Sequence, residues 1–105
     1  MARRLEFRPD ASADVAEAFA WYEARQVGLG QQFESDLDRT LQQIATMPEA
    51  GRTVHRQLRR GLLQRFPFAV YYVVEVAAVV IRGVLHTSRH PREWRRRALS
   101  NRGDR

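Results

Sequence analysis

The sequence predicts an α+β fold: a two-layer sandwich with the element order β-α-α-β-β-β and a short C-terminal helix. Residues 11–47 contain two stretches with apolar side chains at helical spacing, separated by a glycine-containing break. Residues 68–75 and 79–86 are strongly apolar and rich in β-branched and aromatic side chains, which is typical of strands. Because each layer must bury its apolar side, we expect an antiparallel helix hairpin to pack on one face of a four-stranded, mainly antiparallel sheet.

The chain is predicted to begin with a strand, because residues 4–8 alternate polar and apolar side chains. Pro9 ends this strand. Asp10 or Ser12 then caps the first helix, since either side chain can accept a hydrogen bond from the free N–H groups at a helix start. The sequence alone leaves the choice between the two caps open.

Two helices are predicted, over about 11–27 and about 30–47. Gly28-Leu29-Gly30 separates them, and a connection this short makes consecutive helices antiparallel neighbours. Pro48 ends the second helix. The apolar stripe of that helix is formed by Phe33, Leu37, Leu41 and Ile44.

Three strands are predicted in the second half, over 58–65, 68–75 and 79–86. The last of them is apolar throughout except for Arg82, as expected near the middle of a covered sheet. Side chains point alternately to the two faces of a strand, so one face of the middle strand is predicted to present a set of apolar residues. These are Phe68, Val70, Tyr72 and Val74.

The chain is predicted to end in a short helix that starts at Pro91 and extends to about Leu99. Residues 100–105 are expected to fray. With both long helices on one side, we expect the opposite face of the sheet to stay open, where arginines of the strand at 58–65 and of the segment after residue 86 can line it.

Bulk composition indicates one globular domain over residues 1–105, because 44% of the chain is hydrophobic and it has only 4 Pro and 6 Gly. There are no cysteines, so a disulfide framework and thiolate metal sites are not expected. The N-terminus has no apolar stretch of the signal-peptide type, and the apolar run at 66–85 is interrupted by Glu75 and Arg82. We therefore expect a cytoplasmic protein with no membrane partner.

The net charge of +6 is distributed unevenly along the chain. Residues 1–50 carry a net charge of −4, whereas residues 51–105 carry +10. All 18 basic residues are arginine, which is the residue expected from a GC-rich genome as well as from phosphate binding. The asymmetry indicates that one face of the protein meets a polyanion or an acidic partner.

An arginine cluster accompanies the strand predicted at 58–65. Residues two apart along a strand share a face, so several of these side chains should project together. Clustered guanidinium groups bind phosphates and acidic peptides, but they also protect an exposed sheet edge from aggregation. The cluster comprises Arg52, Arg56, Arg59, Arg60 and Arg65.

His86 and Arg89 follow the last predicted strand and form a candidate chemical site. A histidine can act as general acid or base in RNA cleavage, and an arginine can stabilise developing phosphate charge. The alternative is that His86 hydrogen-bonds the backbone and orders the loop that follows. His86 and His90 do not predict a metal pair, because Pro91 makes one helix through both unfavourable.

Trp21 and Tyr22 lie near the end of the first predicted helix. Tyr22 is expected to pack in the core between the hairpin and the sheet. Trp21 lies roughly 100° further round the helix, so we expect it to be half covered and available to a partner.

Nearly the whole chain, residues 4–97, resembles the ParE/RelE family of bacterial toxins from type II toxin–antitoxin systems. The resemblance rests on several motifs in order, none of them diagnostic alone. They are Trp21-Tyr22, Gly28-Leu29-Gly30, Phe33 with Leu37, Ile44 and Pro48, Arg65-Phe66-Pro67-Phe68 before Val70-Tyr71-Tyr72, and His86 with Arg89, Pro91 and Trp94.

The family resemblance implies one of two activities. RelE-like members cut mRNA in the ribosomal A site without a metal, whereas ParE-like members lack that nuclease site and poison DNA gyrase. This chain looks more like the ParE branch, because Phe68 stands where nuclease members commonly have an arginine, and no tyrosine follows Tyr72 to close a nuclease site. The ending with His86, Arg89, Pro91 and Trp94 is also similar to ParE-like sequences.

The resemblance further implies a cognate antitoxin, with a DNA-binding N-terminal dimer and a flexible acidic or amphipathic C-terminal segment that folds on the toxin. No cofactor is implied. The expected antitoxin contacts are Trp21, Leu29, Arg56 and Leu62. The expected target or phosphate contacts are Arg59, Arg60, Arg65, Arg89, Trp94, Arg95 and Arg96. If the protein is a nuclease, the expected catalytic set is His86, Arg65, Arg89 and Glu49.

Three classes of function therefore compete: a gyrase inhibitor that acts by binding, a ribosome-dependent endoribonuclease, and a basic nucleic-acid-binding module. DNA damage without translational arrest indicates the first class, and rapid arrest with cut mRNA indicates the second. Salt-sensitive nucleic-acid binding without toxicity indicates the third.

Overall fold

The computed structural model describes residues 2–98 and confirms the α+β class. The predicted end of the last helix near Leu99 and the tail at 100–105 lie outside the described residues. The elements are β1 (Leu5–Phe7), α1 (Pro9–Arg25), α2 (Leu29–Thr46), a short 3₁₀ turn (Pro48–Ala50), β2 (Arg52–His55), β3 (Leu58–Leu62), β4 (Phe68–Val74), β5 (Val79–His86) and α3 (Pro91–Arg97).

Within residues 2–98 the sheet has five strands in the order β1-β5-β4-β3-β2, one more than the four expected. β1 is parallel to β5 and the other pairs are antiparallel. The unexpected strand is β2, which pairs with β3 at the sheet edge. Its sequence contains one apolar residue, Val54, and the turn that follows uses Arg56 at φ +54° in place of the usual glycine or asparagine.

α1 begins at Pro9, earlier than expected, and neither predicted cap serves it. Arg8 is the N-cap residue and makes no side-chain capping bond. Proline fits the first helical position because its fixed φ suits a helix and it lacks an N–H that would go unpaired. Asp10 lies in the first turn, where a carboxylate interacts favourably with the helix dipole.

The predicted helix hairpin is confirmed, and its connection is tied by a side chain of α1. Gly28 adopts φ +90°, a left-handed conformation that glycine reaches without strain. The Glu23 carboxylate accepts hydrogen bonds from the N–H groups of Gly28 at 2.8 Å and Gly30 at 2.9 Å. Glu23 therefore pairs N–H groups at the start of α2 that no helical carbonyl can reach.

The main core lies between the hairpin and one face of the sheet, called the helix face here. Phe33 of α2 packs at its centre, with rings of Tyr22, Phe66 and Phe68 within 5.7 Å of its own ring centroid. Val70 and Tyr72 are buried on this face, and Phe68 and Val74 pack against the same cluster, as the strand alternation predicts.

Phe33→Ala and Val70→Ala are each expected to lower the free energy of unfolding by about 2–4 kcal/mol, because truncation leaves a cavity in a close-packed core. Both side chains are fully buried. Urea denaturation measures the loss, with Val27→Ala, at a 90% exposed position, as the control that should change little. A Phe33→Ala or Val70→Ala protein as stable as the parent would contradict the packing described.

We expected the opposite face of the sheet to be open, but α3 covers it. Trp94 stacks on Tyr71 with ring centroids 5.7 Å apart and an angle of 12° between planes. Beneath them lies a second cluster of buried residues that point away from the hairpin. It comprises Leu58, Ala69, Tyr71, Val73 and Leu85. We call this side the α3 face.

Tyr72 links the sheet to the end of α2 through a hydrogen bond from its hydroxyl to the Pro48 carbonyl at 2.8 Å. Burial raises the pKa of Tyr72 above the usual tyrosine value, and burial also raises the pKa of Tyr22. The folded state therefore favours the neutral phenol. The stabilisation that results is fully present below the unfolded-state pKa of about 10, and it is lost as the pH rises through the higher folded-state pKa.

Stability should accordingly fall as the pH rises above about 10, because the unfolded chain then releases phenolic protons more readily than the folded one. Urea denaturation between pH 9 and pH 11 measures the effect. Tyr72→Phe should reduce the alkaline loss and leave the part due to Tyr22. An unfolding free energy that rises across this range would contradict the burial of the phenol.

Within residues 2–98, no helix is long and apolar enough to cross a lipid bilayer.

Candidate functional site

α3 packs on the sheet, contains three consecutive arginines and begins at a capped residue. His90 is its N-cap residue, and the Nδ1 atom of His90 accepts a hydrogen bond from the Arg92 N–H at 3.0 Å. Arg92, Arg95 and Arg96 are exposed, whereas Arg97 is turned inward. The helix thus separates arginines that face solvent from one that faces the protein.

Arg97 forms a nearly buried ion pair with Asp14 of α1, at 2.8 and 3.1 Å. The two side chains are only 12% and 11% exposed. Asp14 also accepts a hydrogen bond from the Val84 N–H at 2.9 Å, and Arg97 donates to the Arg82 carbonyl at 2.9 Å. Its hydrogen bond to Asp14 raises the pKa of Arg97 further, so this arginine stays charged.

Gly83 makes room for this ion pair on β5. A Cβ atom at Gly83 would lie 2.7 Å from the Nη1 atom of Arg97. Because any larger residue would displace the guanidinium, the glycine lets one ion pair connect α1, β5 and α3.

Arg82 holds the same, C-terminal end of α3. Its buried guanidinium donates to the carbonyls of Arg97 at 3.0 Å and Ala98 at 3.1 Å, which lie at the C-terminal end of the helix. A cation at this position also interacts favourably with the helix dipole. Arg82, Arg97 and the Trp94 ring together fix α3 rigidly against the sheet.

Exposed arginines of α3 lie on the same side of the sheet as one arginine of β2 and one of β3. Arg60 pairs with Tyr71 in the strand register and with Arg52 across β2, so both arginines lie beside the surface that Trp94 covers. Leu62, 57% exposed, lies two residues further along β3 on the same face. We define the basic face by its members: Arg52, Arg60, Leu62, Arg92, Arg95 and Arg96.

Arg59 points to the opposite side of the sheet and has a structural role. Its guanidinium donates to the carbonyls of Glu49 at 2.9 Å and Gly51 at 2.7 Å, which fixes the turn before β2. Trp94 likewise serves packing through its stack on Tyr71. These two expected target contacts therefore serve the fold itself.

Arg65 lies in the loop between β3 and β4, which Asp36 of α2 holds. The Asp36 carboxylate is 1% exposed and accepts hydrogen bonds from the N–H groups of Gln64 at 3.3 Å, Arg65 at 2.8 Å and Phe66 at 2.9 Å. β3 therefore ends at Leu62, before the predicted end at residue 65. The Arg65 guanidinium lies 3.4 Å from the Gln32 amide oxygen, on the hairpin side.

His86 orders the loop that follows β5, as the structural alternative for this residue predicts. Its Nδ1 atom accepts a hydrogen bond from the Ser88 N–H at 3.0 Å and lies 2.8 Å from the Ser88 hydroxyl. Its ring packs against Phe68, with centroids 5.3 Å apart. Nδ1 is thus engaged within the protein.

The four candidate nuclease residues do not gather at one point. His86 lies opposite Phe68, at the start of β4. Glu49 lies beside Arg59, which is opposite Tyr72. Phe68 and Tyr72 are four residues apart along β4, which is about 13 Å. His86 and Glu49 are therefore too far apart to act on the same reacting group.

The structure brings His86 and Arg89 together at the end of a groove between α1 and β5, called the α1–β5 groove here. It encloses a cavity of about 270 Å³. Trp21 lines it and is 52% exposed, as expected, with the Arg25 guanidinium 3.4 Å from its ring centroid. The lining residues are Asp14, Glu17, Ala18, Trp21, Tyr22, Phe68, Val84, Leu85, His86 and Arg89.

The expected antitoxin contacts do not form one patch. Trp21 lies in the α1–β5 groove and Leu29 in the first turn of α2. Arg56 lies in the turn between β2 and β3, and Leu62 at the far end of β3 on the α3 face. Among the described residues, no three His, Cys, Asp or Glu side chains converge in a way that could hold a metal ion.

Comparison with known proteins agrees with the fold. The chain matches the family described as "ParE toxin of type II toxin-antitoxin system, parDE" over residues 5–91. It is also similar to a chain in the solved structure of the chromosomal ParDE TA system from P. aeruginosa. That likeness has a TM-score of 0.72 and 16% sequence identity, and covers 81% of this chain and 96% of the other.

None of the curated proteins compared with it matches this chain. The family match covers most of the sequence, including both helices of the hairpin, all five strands and the start of α3. The chain therefore belongs to the ParE toxin family of type II toxin–antitoxin systems.

Proposed function

We propose that this ParE-family toxin inhibits DNA gyrase by binding to it and that a cognate antitoxin neutralises it. The observation that carries the proposal is the contrast between the candidate nuclease residues and the arginines of the basic face. Glu49 lies far from the other candidate nuclease residues and His86 Nδ1 is engaged by Ser88, whereas Arg92, Arg95 and Arg96 of the basic face are exposed on a rigidly held helix.

A rigid basic surface is suited to inhibition by docking. Positive charge steers the encounter with an acidic surface and raises the association rate. Because Arg82, Arg97 and Trp94 already fix α3, binding does not have to order the helix backbone that carries the exposed arginines. Glu93 pairs with Arg96 at 2.9 Å, but this exposed contact is exchanged easily for one with a partner.

Ribosome-dependent mRNA cleavage is the alternative, and the proximity of His86 and Arg89 in the α1–β5 groove is the observation in its favour. A supercoiling assay with purified gyrase, run beside a translation assay with mRNA mapping, separates the two. We expect inhibited supercoiling and intact mRNA. Cut mRNA with normal supercoiling would show that the protein acts as an mRNA endonuclease and does not inhibit gyrase. Salt-sensitive nucleic-acid binding without either effect would indicate a binding module.

Saturating antitoxin should raise the thermal stability of the chain, because a ligand that binds only the folded state stabilises it by mass action. At a free concentration of about 100 times Kd the gain is about 2.7 kcal/mol. The probe is a purified candidate antitoxin, a short protein encoded next to the toxin gene, and differential scanning calorimetry measures the shift. A melting temperature unchanged at saturation would contradict neutralisation by direct binding.

A further inference from the structure

The two outer edges of the sheet carry different patterns of charge. Within residues 2–98, β1 and β2 are the outermost strands. The charged residues of β2 and of the turn after it, Arg52 and Arg56, are both positive, so two copies of that edge repel each other. At β1, by contrast, Arg4 and Glu6 have opposite signs and lie on the same side of the strand. The β1 edge therefore permits pairing with a copy of itself.

The backbone groups that β1 leaves open belong to Leu5 and Phe7. The Arg4 carbonyl accepts a hydrogen bond from the Val79 N–H at 2.9 Å, and the Arg8 N–H donates to a carbonyl of β5 at 2.9 Å. Because backbone groups alternate in direction along a strand, those of Leu5 and Phe7 point away from the sheet. An open edge of this kind can add another strand.

Apolar surface beside this edge is also uncovered. The Phe7 side chain is 38% exposed. A groove of about 500 Å³ lies beside the start of β1, and Ala2, Leu5, Leu41 and Ala45 give it apolar walls. The ring of Phe7 lies outside the groove of its own chain, so a bulky ring and an apolar groove lie next to each other on one edge.

Charge selects the register in which a second copy fits. A two-fold axis brings the same surface of both copies together, so the two β1 strands run antiparallel. When Leu5 lies opposite Leu5 of the second copy, the two residues can exchange both main-chain hydrogen bonds. Arg4 then lies opposite Glu6 twice, as pairs of opposite charge. Phe7 lies opposite Arg3, which lines the groove of the second copy.

The neighbouring registers are less favourable. A shift by one step in the pairing puts Glu6 opposite Glu6, and like charges directly opposite each other are destabilising. A further shift meets Pro9, where α1 begins and the backbone has no N–H to donate. Within one chain, Arg4 and Glu6 form an exposed contact at 3.4 Å, which is weak and easily replaced by pairs between two copies.

We propose that two copies of this chain associate through their β1 strands about a two-fold axis and join their two sheets into one. β5 and β4 separate β1 from the arginines of β3 and β2, so this pairing leaves those arginines uncovered. The association depends on neither the target nor the antitoxin of the proposed function.

Exchange of the two charges tests the register. Arg4→Glu or Glu6→Arg alone puts like charges opposite each other twice, and each should raise the dimer Kd at least about tenfold. Arg4→Glu combined with Glu6→Arg restores both pairs and should return Kd to within about threefold of the parent. Sedimentation equilibrium of the purified full chain without antitoxin measures Kd. Arg52→Glu, the same charge change at the β2 edge, is the matched control and should stay within about threefold.

Amide hydrogen exchange locates the contact on the unmodified chain. NMR on the ¹⁵N-labelled protein is compared at concentrations below and above Kd. We expect exchange of the Leu5 amide to slow at least about tenfold in the dimer, because its N–H becomes hydrogen-bonded. The Glu6 amide should not change, since it already faces β5. Arg4 and Glu6 are 62% and 53% exposed, so the variants should fold; if a single variant melts early, the double variant and this exchange measurement decide.

Three results would overturn the proposal. The first is a chain that stays monomeric up to about 1 mM. The second is a dimer that the double variant disrupts as strongly as the single variants, or that Arg52→Glu weakens more than Arg4→Glu. The third is a Leu5 amide that becomes protected only when a candidate antitoxin is added, which would show that the antitoxin and not a second copy covers this edge.

Discussion

Arg97→Ala is expected to destabilise the protein by about 3–5 kcal/mol, because it leaves the Asp14 carboxylate nearly buried without its cation. The same change removes the donor to the Arg82 carbonyl and one of the anchors of α3. We therefore expect α3 to lose protection from amide exchange before the strands do. Urea denaturation and exchange measurements at the α3 amides check the two effects.

The matched control for this prediction is Arg92→Ala on the same helix. Arg92 is exposed, so its loss should change stability by no more than about 0.5 kcal/mol. A double-mutant cycle with Asp14→Ala isolates the pair, and we expect a coupling energy above about 1 kcal/mol. If Arg97→Ala is as stable as Arg92→Ala, the ion pair does not hold α3.

The hairpin and β4 could be predicted because their periodicity is local. Phe33 and Leu37 recur at helical spacing, and Val70 and Tyr72 alternate with residues of the opposite face. The glycine break marked the end of α1 because Gly28 takes a conformation that most residues avoid. Each of these signals lies within a few residues of the element it defines.

The missed parts of the fold depend on distant partners. Asp14 and Arg97 are separated by 83 positions in the sequence, so no local pattern connects them. α3 has seven residues, of which five are charged, and its role on the sheet rests on the Trp94 ring. A helix this short has no apolar stripe to detect, so the sequence does not indicate that it covers this face.

One missed residue did carry a signal. Asp36 follows Phe33 by three positions and precedes Leu37, so a carboxylate lies on the apolar stripe of α2. A buried charge needs hydrogen-bond donors, and here backbone N–H groups of the β3–β4 loop provide them. Polar residues on an otherwise apolar stripe thus indicate a loop or a site held against the helix.

The target prediction compares two variants of the toxin assayed without antitoxin. Arg95→Glu combined with Arg96→Glu should abolish growth inhibition and gyrase inhibition while leaving the fold intact, because both side chains are exposed on α3. Reversed charges at a docking surface cost several kcal/mol, or roughly 100-fold or more in affinity. His86→Ala should reduce toxicity only as far as it loosens the loop that presents Arg89.

If the protein is a nuclease, His86→Ala should reduce toxicity more than Arg95→Glu combined with Arg96→Glu. Loss of a general acid or base typically costs about 10²–10⁴ in rate, so His86→Ala would then be the crippling change and the arginine reversal would weaken RNA affinity alone. Arg4→Glu with Arg25→Glu is the control, since it makes the same change in net charge outside the basic face. An inactive His86→Ala protein with a normal melting curve, beside a still toxic Arg95→Glu/Arg96→Glu protein, would overturn the proposal. Toxicity lost equally in the control would mean that net charge, and not the basic face, drives binding to the target.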